Sequence, residues 1–164
     1  MADKTLDTLF HDTLKDIYYA ERKILKSLPK MVRAAQSPDL KAAFEKHIGQ
    51  TEGQIERLQQ VFEIIGKPAR GKTCEAIEGI LTEGDEIAEE YKGTAALDAG
   101  LLAAAQAVEH YEITRYGTLK RWALVLGLKD AAALLDETLQ EESQTDEDLT
   151  TIADATVNAE ALAA

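Results

Sequence analysis

From Leu6 onward, apolar residues return every three to four positions, the spacing of one helix face. Leu9, Phe10, Leu14, Ile17, Leu25, Leu28 and Val32 share that face, and Glu21 interrupts it. The pattern predicts a helix from about Thr5 to Ala35, closed by Ser37-Pro38-Asp39. Ser37 suits an N-cap, and Pro38 suits the first position of a second helix running to about Ile65. Its stripe is Phe44, Ile48, Thr51, Ile55, Leu58 and Phe62; Gly66 then supplies a left-handed stop and Pro68 prevents resumption. After a turn-rich basic linker from Lys67 to Lys72, a shorter helix follows Thr73 and breaks at Gly93-Thr94. Cys74, Ile77, Ile80, Leu81, Ile87, Ala88 and Tyr91 form its narrow apolar side. A fourth helix, from about Ala95 to Leu126, ends at Gly127, and a fifth runs from about Lys129 to Ala155. Residues 1–155 read as one helical domain, with the alanine-rich tail 156–164 expected to fray.

Loop lengths turn these elements into a topology. Helices one and two, and helices four and five, are joined by very short connections, so each pair is an antiparallel hairpin. About thirty residues with one modest helix separate the hairpins, enough to cross the length of a bundle. The expected class is therefore all-α: two hairpins joined by a long crossover, the ferritin-like connectivity of a four-helix bundle. The 164-residue length fits one domain with a real core. A net charge of −12 argues against nucleic acid or an anionic membrane as partner. No run of apolar residues is long enough to span a bilayer. The start, MADKTLDTLFHD, lacks the pattern of a signal peptide, and the single cysteine, Cys74, forms no internal disulfide. A cytoplasmic location is the expectation.

Charge patterning is most informative inside the stripes. The fourth helix carries Leu97, Leu101, Ala105, Val108, Tyr116, Leu119, Ala123 and Leu126 on one face, broken by Glu109 and Glu112. The fifth carries Leu135, Thr138, Thr145, Leu149 and Ile152, broken by Glu142. An ionised carboxylate in an apolar core costs roughly several kcal/mol unless it is paired or bound to metal. Glu21 lies about fifteen residues before its hairpin turn, roughly 22 Å at 1.5 Å per residue. Glu112 and Glu142 lie about equally far before and after Gly127, so the carboxylates of that hairpin share one level. Two divalent ions would neutralise the charge of Glu21, Glu109, Glu112 and Glu142, and carboxylate-bridged metal pairs are built this way in helical bundles.

The segments LFHDTLKDIYYAERKILKSLPKM, HIGQTEGQIERLQQVFEIIG, AVEHYEITRYGTL and LLDETLQEESQTDEDLT resemble the YciE/YciF family of bacterial stress proteins, in the ferritin-like superfamily with rubrerythrin. The resemblance spans nearly the whole chain and implies a helical bundle, a homodimer and an open biochemical activity. It implies metal ligation by Glu21, by the Glu-x-x-Glu of Glu109 and Glu112, and by Glu142 with Asp146 one turn on. One departure matters: the superfamily's Glu-x-x-His on the second helix falls at Thr51 and Gln54, neither a strong ligand. Glu52 sits beside that stripe as a replacement ligand, with Glu56 one turn further, and His47 flanks the same face.

The same residues have a structural reading, a buried network of the four glutamates with Arg115, Tyr18 and Thr145. His110 points about 100° away from Glu109, toward surface or interface. Three function classes follow. The first is a di-metal oxidoreductase or peroxidase-like protein using iron, with manganese as the alternative, since hard oxygen ligands suit both. The second is a metal-sequestering protein, and the third a metal-free helical homodimer that recruits a partner under stress. Ile24, Met31, Val61 and Ile64 are extra apolar positions suited to a seam between two copies.

Overall fold

The computed structural model describes residues 4–163. It is built from α1 (Leu6–Ala34), α2 (Pro38–Ile64), α3 (Glu75–Glu90), α4 (Leu97–Val125) and α5 (Lys129–Ile152), then a π-helical turn (Ala153–Val157) and α6 (Asn158–Leu162). Local chemistry sets the ends. Thr5 and Ser37 cap α1 and α2 by accepting from Thr8 N and Leu40 N, and Pro38 opens α2. Gly66 and Gly127, at φ 65° and 76°, make the left-handed turns that stop α2 and α4.

The helices form an all-α ferritin-like bundle in which every neighbouring pair of long helices is antiparallel. Tyr18 of α1 meets Gln59 and Phe62 of α2, while Gln36 and Asp16 of the first hairpin meet Asp98 and Tyr111 of α4. Lys46 and Arg57 of α2 meet Asp148 and Glu141 of α5. From the end of α2 the chain must climb back to start α4 at the opposite end, and α3 makes that climb in the groove between α1 and α4. Tyr19 and Lys30 of α1 bond Glu78 and Asp85 of α3. On the other side α3 sits so close to α4 that a Cβ at Gly100 would stand 2.5 Å from Ile87 Cγ2.

Two apolar clusters fill the interior. One gathers Phe10, Leu14, Ile17, Leu58, Phe62, Tyr116 and Leu135; the other gathers Leu40, Phe44, Leu97, Leu101, Leu149 and Val157. Between them lies a polar layer from the middles of α1, α2, α4 and α5.

Two expectations change. The chain is helical beyond Ala155: the π-helical turn carries it into α6, and Val157 is buried against the second cluster. Asn158–Leu162, by contrast, bury no side chain. Of the four positions read as a seam between copies, Ile24 and Val61 are buried in the chain's own core. Met31 is half-buried beside α3, and Ile64 is exposed. Among the described residues, no helix is long and apolar enough to cross a membrane.

Candidate metal centre

Each long helix sends side chains into the polar layer. Glu21 comes from α1, His47, Thr51 and Gln54 from α2, Glu109 and Glu112 from α4, and Glu142 from α5; all are buried. His47, Glu109, Glu112 and Glu142 each bring one ligand atom within 4.8 Å of the others. His47 Nε2 lies 3.3 Å from Glu109 Oε1 and 4.0 Å from Glu142 Oε2. Two neighbours orient the carboxylates: the Tyr116 hydroxyl donates to Glu21 Oε1, and Gln54 Nε2 donates to Glu142 Oε1.

Much of the polar capacity is left over. Glu21 Oε2, Glu109 Oε2, both Glu112 oxygens, Glu142 Oε2 and both His47 ring nitrogens are buried without a hydrogen-bond partner. Native interiors hold few such atoms, so a concentration of them calls for a missing partner. No Lys or Arg among the described residues forms an ion pair with these glutamates. Arg57 is taken by Glu137 and Glu141 on the outside of α5. The cation and hydroxyls of the structural reading also point elsewhere. Arg115 stacks on Tyr111, Tyr18 bonds Gln59, and Thr145 bonds the Glu141 carbonyl.

The electrostatics follow. Burial, then the charge of Glu142, push Glu21 up to about 8, with the Tyr116 hydrogen bond acting against them. Burial, then Glu142, also raise Glu109 and Glu112 well above the usual carboxylate range. A divalent cation fits this site: it would satisfy the orphaned oxygens and remove the mutual repulsion.

The sequence-derived set divides here. Glu21, Glu109, Glu112 and Glu142 converge in the core. Glu52 is exposed on the outer side of α2, about 100° round the helix from Thr51. Asp146 is half-buried at the α4–α5 edge, where it accepts from Gln106 Nε2 at 3.2 Å and lies 3.0 Å from His110 Nε2. The nitrogen that α2 brings to this group is that of His47, one turn before Thr51, whose hydroxyl bonds the His47 carbonyl at 2.8 Å. Its flanking phase was the available signal. Gln54, read from the sequence as a weak ligand in the place of the superfamily's His, and Tyr116, a member of the α4 stripe, instead donate hydrogen bonds to the carboxylates.

The family model described as Domain of unknown function (DUF892) matches residues 5–162. The chain belongs to the DUF892 family. Over 159 residues, 96% of both chains, it is 43% identical to Protein YciF of Escherichia coli (strain K12), which bears out the resemblance read from the helical segments. The crystal structure of the E. coli stress protein YciF matches this DUF892 chain with a TM-score of 0.90 at 43% identity, over 95% of this chain and 99% of that one. YcfI from Rhodopseudomonas palustris matches at 0.89 and 46% identity, over 92% and 96%. A protein from Xanthomonas campestris pv. campestris, 21% identical with a TM-score of 0.74, shares the fold.

Proposed function

We propose that this DUF892 protein binds divalent metal in its bundle core, as a cytoplasmic homodimer serving the stress role named for its E. coli relative. The observation that carries the reading is the set of orphaned, buried ligand atoms from four helices, with no Lys or Arg among the described residues ion-paired to the glutamates. Glu21, His47, Glu109, Glu112 and Glu142 would hold the metal, while Gln54 and Tyr116 fix two of the carboxylates. A donor set of several carboxylate oxygens and one imidazole suits iron, with manganese as the alternative, and four carboxylates balance two such ions. A redox-active ion there would supply electron exchange with oxygen or peroxide. The chain's own contribution is to exclude water, anchor Glu142 through Gln54 and hold a proton on Glu21 until metal displaces it.

A second reading draws on the raised carboxyl groups. Protonated Glu21 bonded to Tyr116, with protonated Glu109 and Glu112 beside it, makes a structural network of reduced charge, in keeping with the structural role named for the Rhodopseudomonas palustris relative. Calorimetry on chelator-stripped protein decides between them. Saturable anaerobic Fe(II) or Mn(II) binding at sub-millimolar concentration is expected, and its absence leaves the structural network. An absorbance change on adding oxygen or peroxide to the Fe(II)-loaded protein then separates redox chemistry from sequestration.

A further inference from the structure

Two small cavities lie in line between the outer groove of α3 and the metal centre. The inner one, about 20 Å³, reaches His47 and Glu109 and is otherwise walled by side chains such as Ile24, Phe44, Ala105 and Leu149. The outer one, also about 20 Å³, lies between α1, α3 and α4, with Gly84, Ala88 and Ala104 on its walls and Lys30 and Asp85 at its rim. Ser27, Met31, Leu81 and Val108 line both cavities, so they form a common partition. Each volume exceeds the roughly 10–15 Å³ that one water-sized molecule requires. Water is a poor occupant of the outer cavity, because it needs two to four polar partners and the walls inside the rim are apolar apart from Ser27. The inner cavity also has Thr145, His47 and Glu109 on its walls, which are partners enough for one water.

We propose that these cavities are a binding site and passage for a small uncharged molecule of about the size of dioxygen, leading from the α3 groove to the His47–Glu109 side of the metal centre. Three observations converge on it. The cavities are sized for one such molecule each, they share a partition, and the inner one ends on two residues of the candidate centre. Gly84, Ala88 and Ala104 keep the outer half open where α3 approaches α4. Met31, unbranched and half-buried, is the wall most able to move aside. Ions are disfavoured, since Met31, Leu81 and Val108 at the partition offer nothing in place of their hydration and Ser27 a single hydroxyl. The purpose of the passage rests on the metal-binding reading; its occupancy does not.

Xenon tests occupancy in metal-free protein. Crystals of the stripped full-length chain under xenon pressure are expected to show the atom in one or both cavities, and their absence from both overturns the proposal. Passage is tested by the rate at which nitric oxide reaches Fe(II)-loaded protein in stopped flow. Ser27→Phe should fill the partition and slow that rate roughly tenfold, whereas Leu81→Ala should widen it and speed the rate. Calorimetric Mn(II) affinity should be unchanged in both variants. Nitric oxide rates equal to wild type in both overturn the passage. If Fe(II) does not bind at all, the metal-binding reading falls, and the xenon result alone decides the site.

Discussion

Glu21 shows how one buried side chain links metal, protons and stability. Its folded pKa, pushed up to about 8, stands above the ordinary 4.5, so the metal-free folded chain holds a proton that the unfolded chain releases. Stability of the stripped protein should therefore be greatest below about 4.5 as far as this group decides, and should fall as pH rises toward about 8. The raised Glu109 and Glu112 act in the same direction. Metal competes with those protons, so its affinity should rise over the same window. Calorimetry in buffers of different ionisation enthalpy should show proton release; equal heats in all buffers near neutrality would refute it. Glu112→Gln separates the two states further. It should weaken metal binding by roughly tenfold or more, yet leave the stripped protein at least as stable near pH 8, because one buried charge is gone. Glu89→Ala, exposed on α3, should change neither. The four core glutamates were legible because each breaks an apolar stripe on its helix. His47 and Glu52 were not separable that way: both flank the α2 stripe, and only the packing of α2 against α5 turns one inward and leaves the other in solvent.

Helix ends depend on longer reach than caps alone suggest. Ser37, Pro38, Gly66 and Gly127 mark their turns by residue type, and the hairpins follow directly from them. The clamp on the first turn was hidden, because its acceptor lies far along the chain. Asp98, in the first turn of α4, accepts from Gln36 N at 2.8 Å and from Ser37 N at 2.6 Å, while Gln36 Nε2 bonds the Thr94 carbonyl. One buried carboxylate thus ties the start of the second hairpin to the turn of the first. Hydrogen bonds to a charged acceptor contribute about 1.5–3 kcal/mol each, and a buried N–H left without one adds a desolvation cost. Asp98→Ala should accordingly lower stability by roughly 3 kcal/mol in denaturant titrations, with Asp98→Asn intermediate. Metal affinity should change little, because the clamp sits several turns from Glu109. A loss below about 0.5 kcal/mol, the range of an ordinary surface substitution, would show that the clamp is dispensable. The tail was illegible for a related reason: its composition is weak in helix-ending signals, and Val157 gains its place only from contacts with the second core cluster.

At the scale of the whole molecule, loop lengths carried the topology, since short turns force antiparallel neighbours and a long crossover permits only a return to the far end. Assembly was less accessible, because the same apolar residue type serves a core and an interface. Ile24 and Val61 went to the core. Four exposed large apolar side chains lie instead at the end of the bundle where α1 begins and α2 and α4 finish, namely Leu9, Ile64, Leu124 and Val125, the last 75% exposed, while Tyr91 and Leu162 are exposed elsewhere. Several large apolar side chains exposed at one end of an otherwise strongly acidic chain favour contact with a second copy of that same end, which two-fold symmetry brings together in one operation. Sedimentation at micromolar concentration should therefore give twice the chain mass. Leu124→Asp combined with Val125→Asp should return the monomer, with the helical circular dichroism intact, because neither side chain is part of the core. A wild-type monomer would end the dimer proposal. A double variant that stays dimeric would move the interface to another face, such as the outer side of α3, where Tyr91 is 46% exposed.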